Sequence, residues 1–379
     1  MKILINFLSA RSGGAVSYFK NILEHIKKNN LSKFQHSITA LVYNDQKQLI
    51  PFWPDRQCII VPGRHKSGAR RLLWEYRNLN KILKRNQVDV LFTPYQIGTK
   101  VTSAKHVMMI RNMEPFNFIK YHYSPKTYLR NLILKTQTLS SLRAADKVVA
   151  VSDYTEKFIT ESLGGMDKKV YRIYHGRDIR FNPLDPDGAD QDRLKQIGIK
   201  RNFVLACGSL LPYRRSEDVL RAFNRFSQVH TKIDLVVAGS GNDRKYNNKL
   251  NKLIQMSSAS DRIHKVGHVP VKAMQSLYRK CKFCVVSTEI EACPNIVIEA
   301  MASGCICISS DHPPLPEMFQ NSSIQYKARD TKDLAAKMEM CLFDENLRKE
   351  LKEKALQRAK DFSWETCAAE TLKVLTQWR

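Results

Sequence analysis

Short apolar runs alternate with longer amphipathic stretches along the first half of the chain. The apolar runs are KILINFL, VDVLFTP, HVMMI and KVVAVS, and a helical spacing of apolar residues is found at 18–28 and in TEKFITESL. Short apolar runs that alternate with helical patterns are typical of βαβ units, which build parallel sheets. The first half is therefore predicted to form a parallel α/β domain.

The second half of the chain repeats this alternation. Its apolar runs NFVLACG, IDLVVAGSG, KFCVVS and CICISS are interspersed with the helical patterns EDVLRAFNRFS and NIVIEAMAS. Between the halves, HGRDIRFNPLDPDGAD is rich in glycine and proline and has no periodicity, which is typical of a linker. We predict an α/β protein of two Rossmann-like, doubly wound domains, at residues 1–178 and 179–361.

Composition supports two domains and an anionic partner. The 379 residues are 43% hydrophobic, enough for two cores of ordinary size. Lys and Arg number 62 against 36 Asp and Glu, and the formal charge of +26 favours a phosphorylated substrate, an acidic membrane surface or nucleic acid. No apolar stretch reaches the roughly 18 residues that a spanning helix needs, and the start, MKILINFLSA, is predicted to be a strand.

The cysteines and one pair of aspartates resemble metal ligands but are predicted to be structural. Nine cysteines are scattered along the chain, which argues against a disulfide framework and favours a reducing cytoplasm. Cys281 and Cys284 form a lone CxxC that continues into the FCVVS strand, so we predict burial instead of zinc or redox chemistry. Asp185 and Asp187 lie in the proline-rich linker and are predicted to form a solvated turn.

Two carboxylates follow the pattern strand, loop, helix and strand in FCVVSTEIEACPNIVIEAMASGCICIS. Glu291 lies in the loop at the carboxyl end of the strand, and Glu299 lies inside the helix. Pro294 suits the first helical position and Gly304 the helix end. Open α/β sheets bind ligands at this edge, although each glutamate taken alone is equally well explained as an ordinary acidic surface residue.

The amino end of the same helix is a candidate anion site. Free N–H groups near Asn295 and Ile296, together with the helix macrodipole, suit a diphosphate. Glu299, one or two turns into the helix, is placed to accept hydrogen bonds from ribose hydroxyls. The segment therefore favours a nucleotide ligand.

A second candidate segment is ACGSLLPYRRSEDVLRAF, which has a strand that ends at Gly208 and a helix that begins near Ser216. The loop between them carries Arg214 and Arg215. Two guanidinium groups at the carboxyl end of a strand suit a diphosphate and stabilise the charge that grows on it as a sugar leaves. The alternative is a solvated basic loop.

These segments together resemble retaining glycosyltransferase family four, which has the GT-B fold. The resemblance rests on Glu291, seven intervening residues, Glu299, and then AMASG with a β-strand. It implies that Glu291 contacts the donor sugar and that Glu299 contacts the nucleotide ribose. Relatives often have Gly-Phe-Gly after the first glutamate, whereas this chain has Ala292, Cys293 and Pro294 there, and Pro294 offers no N–H.

The resemblance extends to the phosphate-binding loop, where the family has an arginine after the glycine and a lysine five residues later. Ser209 stands in place of that arginine, and Arg214 in place of the lysine with Arg215 beside it. This implies that Arg214 is the main diphosphate ligand, with Arg215 second and Ser209 a hydrogen-bond donor. The predicted catalytic residues are Arg214, Glu291 and Arg215.

Glycines at other predicted strand ends resemble further parts of the donor site. Gly13 and Gly14 follow the first strand and open a helix, and glycine there permits close approach of a ligand or simply makes a tight turn. The resemblance places them beside the donor phosphates and the acceptor. It also places Gly239, Gly241 and Val269 at strand ends that border the nucleotide, and Gly208 and Cys293 are further predicted donor-binding residues.

The strand HVMMI is followed by Arg111 and Asn112, where many relatives have a histidine near the donor sugar. We predict that Arg111 and Asn112 contact the acceptor or its phosphate. His106 lies at the start of the strand and is predicted to be an ordinary strand residue.

Basic residues interleave with aromatic residues from Arg64 to Lys135. These aromatic residues include Trp74, Tyr76, Phe116, Phe118, Tyr121 and Tyr123. Such interleaving suits contact with anionic lipid or a lipid-linked acceptor, and the alternative is a basic helix packed on its own sheet. No nucleic-acid-binding module is recognisable, so nucleic acid is not expected as a partner.

The predicted function is transfer of a hexose-type sugar, with retention, from a nucleoside diphosphate sugar to a hydroxyl of an envelope polysaccharide, lipopolysaccharide or lipid-linked glycan. By resemblance, a last helix at 362–379 crosses back to the first domain, and no metal or other cofactor is expected. The protein is expected in the cytoplasm, peripheral to the inner face of the membrane. The alternatives are a sugar-nucleotide epimerase or hydrolase of the same fold, and a non-catalytic basic adaptor for membrane or polyanion.

Overall fold

The chain forms two compact units. The computed structural model describes residues 1–11, 13–28, 36–63, 67–121 and 124–378. The first unit comprises Met1–Gly176 and Ser363–Arg379, and the second comprises Arg177–Phe362. The boundaries predicted from the sequence are 178 and 361. The first lies inside the segment rich in glycine and proline, and the second lies just ahead of the last helix.

The first unit is built on a parallel sheet of seven strands in the order β3-β2-β1-β4-β5-β6-β7. The strands are β1 (Lys2–Asn6), β2 (Ser37–Tyr43), β3 (Cys58–Val61), β4 (Val90–Thr93), β5 (Lys105–Ile110), β6 (Lys147–Ala150) and β7 (Val170–Arg172). The helices are α1 (Gly14–Lys28), α2 (Asn44–Lys47), α3 (Gly68–Arg85), α4 (Glu114–Asn117), α5 (Pro125–Ala144), α6 (Asp153–Leu163) and, from the end of the chain, α15 (Trp364–Thr376).

The second unit is built on a parallel sheet of six strands in the order β10-β9-β8-β11-β12-β13. The strands are β8 (Phe203–Cys207), β9 (Asp234–Ala238), β10 (Ile263–Gly267), β11 (Cys284–Val286), β12 (Cys307–Ser310) and β13 (Ser323–Tyr326). The helices are α7 (Asp190–Gln196), α8 (Ser216–Val229), α9 (Arg244–Gln255), α10 (Val271–Lys280), α11 (Asn295–Ala302), α12 (Leu315–Phe319), α13 (Thr331–Phe343) and α14 (Glu345–Arg358).

Both sheets confirm the prediction of doubly wound α/β architecture. Every residue of the central strands β4 and β9 is buried, as expected for strands covered by helices on both faces. In each sheet the direction in which successive strands are added reverses once. The reversal lies between β1 and β4 in the first sheet and between β8 and β11 in the second. Sheets of this kind bind ligands in the crevice at the carboxyl ends of such a strand pair.

The last helix, α15, belongs to the first unit. The ammonium group of Lys147, at the start of β6, donates hydrogen bonds to the carbonyl oxygens of Val374, at 2.9 Å, and Gln377. At the other end of α15, a side chain on Gly176 would place its Cβ 2.1 Å from the backbone nitrogen of Trp364. Among the described helices, none combines the length and apolar character required to span a bilayer.

Candidate active site

The candidate donor site lies at the β8/β11 reversal point of the second unit. Two loops meet there, at 208–215 after β8 and at 287–294 after β11. The Ser287 hydroxyl donates to the carbonyl of Arg214 at 2.7 Å, and the Glu289 amide donates to the carbonyl of Tyr213 at 2.9 Å. These bonds hold the loops together, so side chains far apart in sequence share one site.

Arg214 and Glu291, two of the predicted catalytic residues, are in direct contact. The guanidinium Nη1 of Arg214 forms an ion pair with Oε1 of Glu291, and Nε of Arg214 donates to the Ser209 hydroxyl at 3.3 Å. The two charged side chains are only 18% and 15% exposed. Burial lowers the pKa of the Arg214 guanidinium, and its charge is poorly screened by water.

Arg215 has different partners from its neighbour. It adopts a left-handed backbone conformation (φ 55°) just before α8. Its Nε and Nη2 donate to the two oxygens of Asp218 at 2.9 and 2.8 Å, and Nη1 lies 3.1 Å from Glu217. These contacts direct the guanidinium to the first turn of α8. The predicted contact of Arg215 with phosphate stays a prediction.

Helix α11 begins one residue later than the sequence predicts. Pro294 has an extended backbone (ψ 112°) and precedes the helix, so Asn295 is the first helical residue. The predicted helix end is confirmed, because Gly304 follows α11 with a φ of 68°. The leading amides of α11, those of Asn295 and Ile296, lie at the end where helical N–H groups have no acceptor within the helix.

Glu299 is half-buried on α11 beside two charged residues that the sequence analysis did not select, Asp178 and Arg180. Nε of Arg180 lies 3.0 Å from both carboxylate oxygens of Asp178. Burial and the neighbouring Asp178 raise the pKa of Glu299 to about 8, against the opposing effect of Arg180. The carboxyl group of Glu299 is therefore mainly protonated at neutral pH.

The closed space at this site is small. A cavity of about 20 Å³ lies among residues of both loops and of α11, enough for about one water molecule. Its lining includes Cys207, Arg214, Ser287, Thr288 and Ile296.

The predicted glycines Gly239 and Gly241 have a packing role at the neighbouring strand ends. A Cβ atom on Gly239 would lie 1.8 Å from the carbonyl oxygen of Gly208, and one on Gly241 would lie 2.0 Å from that of Leu210. The Gly239 amide also donates to the carbonyl of Gly267 at 2.7 Å. These glycines keep the loop after β8 close to the end of β9.

In the first unit, the predicted glycine turn opens α1. Gly13 has a φ of 54°, and the helix begins at Gly14. Val269 and Cys293, the other predicted donor residues, lie in the second unit, where Val269 is half-buried after β10 and Cys293 is buried before α11. Their contact with a donor stays a prediction.

Arg111 and Asn112 directly follow β5 in the first unit. The Arg111 amide donates to the Gln96 side chain at 3.4 Å, and its guanidinium lies 5.7 Å from the centre of the Tyr18 ring. The Gln96 amide group donates to the Asn112 carbonyl at 2.9 Å. Arg111 is therefore held at the carboxyl edge of the sheet, where a ligand can be reached.

His106 is buried within β5. Its Nε2 is 2.9 Å from the Thr93 hydroxyl, and burial lowers the pKa of the imidazole to about 4. This agrees with the prediction that His106 is an ordinary strand residue.

Some of the cysteines form a cluster that sequence spacing did not indicate, and its members are Cys207, Cys281, Cys284, Cys305 and Cys307. Sγ of Cys281 lies 3.4 Å from that of Cys305, and Sγ of Cys207 lies 3.9 Å from that of Cys284, so the CxxC residues do not pair with each other. Cys284 is also the register partner of Cys307. Within the ranges that the structure describes, no group of three or more metal-binding side chains is arranged to hold an ion.

The aspartates of the linker are bound to a common arginine. Arg193 forms ion pairs with Asp187 and, at 3.7 Å, with Asp185. They thus belong to a polar turn.

The basic and aromatic segment is partly packed. Phe118 and Tyr121 are buried, Trp74 is half-buried, and Tyr76 is 71% exposed. Arg64 and Tyr123 lie outside the described residues. Several of the aromatic residues therefore serve the core of the first unit.

Two family models match the chain and together span most of it. The model described as Glycosyltransferase Family 4 matches residues 12–181, and the model described as Glycosyl transferases group 1 matches residues 190–358. The chain belongs to glycosyltransferase family four. The resemblance stated from Glu291, Glu299 and the loop of Arg214 is confirmed, and the protein is a transferase.

Similar proteins are other glycosyltransferases. An N-acetylgalactosamine-N,N'-diacetylbacillosaminyl-diphospho-undecaprenol 4-alpha-N-acetylgalactosaminyltransferase of Campylobacter jejuni is 27% identical over 52% of this chain and 53% of its own length. An O-antigen chain mannosyltransferase B of Escherichia coli is 20% identical over 84% of this chain and 80% of its own. The match to the Campylobacter protein thus spans about half the length of that relative.

Solved structures share the fold over the whole transferase. The Anabaena protein HepE in complex with UDP-glucose superposes with a TM-score of 0.75 and 18% identity, over 99% of this chain and 100% of that one. A glycosyltransferase from Rickettsia africae superposes with a TM-score of 0.73 and 18% identity, over 100% and 99%. At this identity the likeness establishes the GT-B fold.

Proposed function

We propose that this transferase moves a hexose-type sugar, with retention at the anomeric carbon, from a nucleoside diphosphate sugar to a glycan hydroxyl. The observation that carries the proposal is the contact between Arg214 and Glu291 at the β8/β11 reversal point. A cation for the diphosphate and a carboxylate for the sugar lie side by side there, at the edge where α/β sheets bind ligands.

The ion pair explains how the site tolerates two poorly hydrated charges, because Arg214 and Glu291 neutralise each other. An arriving diphosphate attracts Arg214, which frees Glu291 to accept hydrogen bonds from hydroxyls of the sugar. The Ser209 hydroxyl, which accepts from Arg214, keeps a proton to donate to phosphate.

Stabilisation of the leaving group is the main catalytic effect in this scheme. The bond from the anomeric carbon to the diphosphate oxygen breaks, and negative charge grows on the diphosphate. Arg214 and the leading amides of α11 meet that charge, with Arg215 as a second candidate cation. We propose that these groups make a metal ion unnecessary, and that transfer continues in the presence of EDTA.

Retention follows from attack on the face that the leaving group vacates. The acceptor oxygen bonds to the anomeric carbon on that face, and its proton passes to the departing diphosphate. Orientation of the two substrates is then the main requirement. We assign the acceptor contact to Arg111 and Asn112, and the ribose contact to Glu299.

The proposed acceptor is a lipid-linked or envelope glycan. Two relatives are named for an undecaprenol-diphosphate glycan and for an O-antigen chain. The formal charge of +26 suits an acceptor that carries diphosphate and a membrane surface that carries anionic lipid. We therefore propose that the protein acts at the inner face of the cytoplasmic membrane.

The test is a screen of uridine, guanosine, adenosine and cytidine diphosphate sugars by thermal shift, followed by transfer assays with the donor that binds. A ligand that binds the native state raises the melting temperature. Analysis of the product by NMR must show the donor's anomeric configuration. Conversion of the donor without acceptor would instead identify an epimerase or hydrolase, and the absence of any saturable site would identify a non-catalytic adaptor.

A further inference from the structure

Helix α5 of the first unit has an inverted distribution of side chains. Its buried residues include Asn131 and Thr138, together with Leu142. Aliphatic and aromatic side chains face outward instead, and the exposed fractions are 45% for Tyr128, 57% for Leu129, 46% for Leu132 and 49% for Ile133. Surface helices normally bury their apolar stripe, so an exposed apolar face of this kind is a candidate interaction surface.

The exposed side chains form one continuous stripe. Positions 128, 129, 132 and 133 are separated by three or four residues across successive turns, so they lie on one side of the helix. The preceding turn adds Ile119, which is 69% exposed, and the adjacent Phe118 ring packs 4.8 Å from the ring of Tyr128. We name Ile119, Tyr128, Leu129, Leu132 and Ile133 the α5 patch.

The α5 patch lies in a stretch of sequence that is rich in cations. The sequence from 115 to 145 contains neither Asp nor Glu, and its basic residues are Lys120, Lys126, Arg130, Lys135 and Arg143. Four of these five side chains are exposed, and Lys135 is half-buried. The closest acid to Arg130 among its ion pairs is Glu114, at 4.0 Å, the limit of an ionic contact. The patch thus combines apolar side chains with almost uncompensated positive charge.

We propose that the α5 patch docks on an anionic lipid bilayer, with its apolar side chains in the interface and its cations against the headgroups. This deepens the proposed function, on which it rests for the presence of a membrane. Long basic side chains keep their charge in the headgroup layer while their alkyl parts cover apolar surface. An exposed apolar stripe with exposed basic side chains on the same helix matches that layering.

Charge disfavours the other occupants. A two-fold contact with a second copy would set the same five cations against each other, without acidic side chains from this stretch to neutralise them. Nucleic acid would satisfy the cations, but its phosphates leave an aliphatic centre without contacts. Both remain distinct outcomes of the test.

The test is co-sedimentation of the full chain with vesicles of phosphatidylethanolamine and phosphatidylglycerol, against vesicles of phosphatidylcholine alone. The wild type is expected to bind the anionic vesicles and to retain part of that binding at high salt, because apolar insertion is not screened. The double variant Leu129→Ser/Ile133→Ser is expected to lose roughly tenfold or more in partition coefficient.

A matched control removes exposed apolar surface elsewhere. Val229 and Met256 in the second unit are 72% and 73% exposed, and Val229→Ser/Met256→Ser is expected to bind as the wild type does. A second variant, Lys126→Gln/Arg130→Gln, is expected to weaken binding to anionic vesicles and to flatten its dependence on salt. Unchanged melting temperatures and circular dichroism establish that the variants fold.

Three results would overturn the inference. They are vesicle binding by folded Leu129→Ser/Ile133→Ser equal to that of the wild type, a dimer that this variant disrupts, and nucleic-acid binding in place of vesicle binding. Failure of the proposed function is distinguishable, since it shows as loss of sugar-nucleotide binding with vesicle binding intact. The double variant is expected to keep its donor affinity and its transfer to a short, water-soluble acceptor.

Discussion

Two adjacent arginines of the second unit differ in what they bind, and this difference can be measured. Arg214→Ala removes the cation beside Glu291, and we expect kcat to fall by about 10²–10³ because the leaving diphosphate loses a charged donor. Arg215→Ala is the comparison variant. It removes the partner of Asp218 and one of the partners of Glu217, so we expect a lower melting temperature together with a smaller loss of kcat than in Arg214→Ala.

Steady-state kinetics and thermal unfolding of both variants check this prediction. Turnover of Arg214→Ala equal to that of the wild type would remove Arg214 from the mechanism. A loss of kcat in Arg215→Ala as large as in Arg214→Ala, with unchanged stability, would show that both arginines bind the diphosphate.

The raised pKa of Glu299 predicts a pH-dependent affinity for nucleotide. Ribose hydroxyls donate more strongly to a carboxylate than to a carboxylic acid, so affinity is expected to rise as pH approaches the pKa of about 8. Calorimetry of nucleoside diphosphate binding from about pH 6.5 to about pH 8.5 measures this. Glu299→Gln should bind more weakly and without that rise, and an identical pH profile would contradict the ribose assignment.

The raised pKa of Glu299 also makes the stability of the fold depend on pH. Stability is expected to fall as pH rises, whereas nucleotide affinity is expected to rise. The folded chain holds the Glu299 proton more tightly than an unfolded chain does, so this group's contribution is fully present in acid and is lost as pH rises through about 8. Glu299→Gln has no proton to lose there. Its melting temperature should therefore decline less than that of the wild type over this range.

At the residue scale, some of the site could be predicted and some could not. Glu291 and Arg214 both follow buried strands, and the carboxyl ends of neighbouring parallel strands meet at one edge, so their proximity follows from topology. Asp178 and Arg180 were not selected, because they lie in an aperiodic segment whose path no local pattern determines. The signal available was the alternation of charges in RDIR.

At the scale of elements, close packing of strand ends predicts a difference between two glycines. Gly188→Ala meets nothing within 4 Å and is expected to cost about 1 kcal/mol for its left-handed backbone. Gly239→Ala drives a Cβ atom against the Gly208 carbonyl, and we expect at least roughly three times that cost. Melting temperatures measure the difference, at about 2–4 °C per kcal/mol.

An equal effect of the two substitutions would show that the loop after β8 yields easily. In that case, nucleotide affinity should still distinguish them, because only Gly239→Ala displaces the loop that carries Ser209 and Arg214.

The spacing of residues along the chain does not determine which side of a helix is covered or which strands place their side chains together. The apolar residues at 128, 129, 132 and 133 have helical spacing, but spacing does not indicate which side of the helix is covered, and the structure exposes these residues and buries Asn131 and Thr138. The reason is tertiary, since the sheet and its neighbours select which side of a helix is covered. The clustered cysteines were missed similarly, because parallel register, and not spacing, aligns Cys284 with Cys307.

At the scale of the whole molecule, the two units predict localised protection by nucleotide. The residues assigned to the diphosphate and ribose lie mostly in the second unit, so binding should slow hydrogen exchange in β8, β11 and the start of α11. Core amides of β1 and β4 in the first unit should change much less. Equal protection of both cores would show that the units unfold as a single cooperative body.

The first unit is discontinuous in sequence, because α15 returns to it after the whole second unit, where Lys147 holds the end of the helix. Recombination between related genes is constrained by this arrangement. A chimaera joined once at the linker would combine the first strands of one parent with the closing helix of another. An exchange of donor specificity therefore needs two crossovers. Together they replace the whole second unit and leave both ends of the chain derived from the same parent.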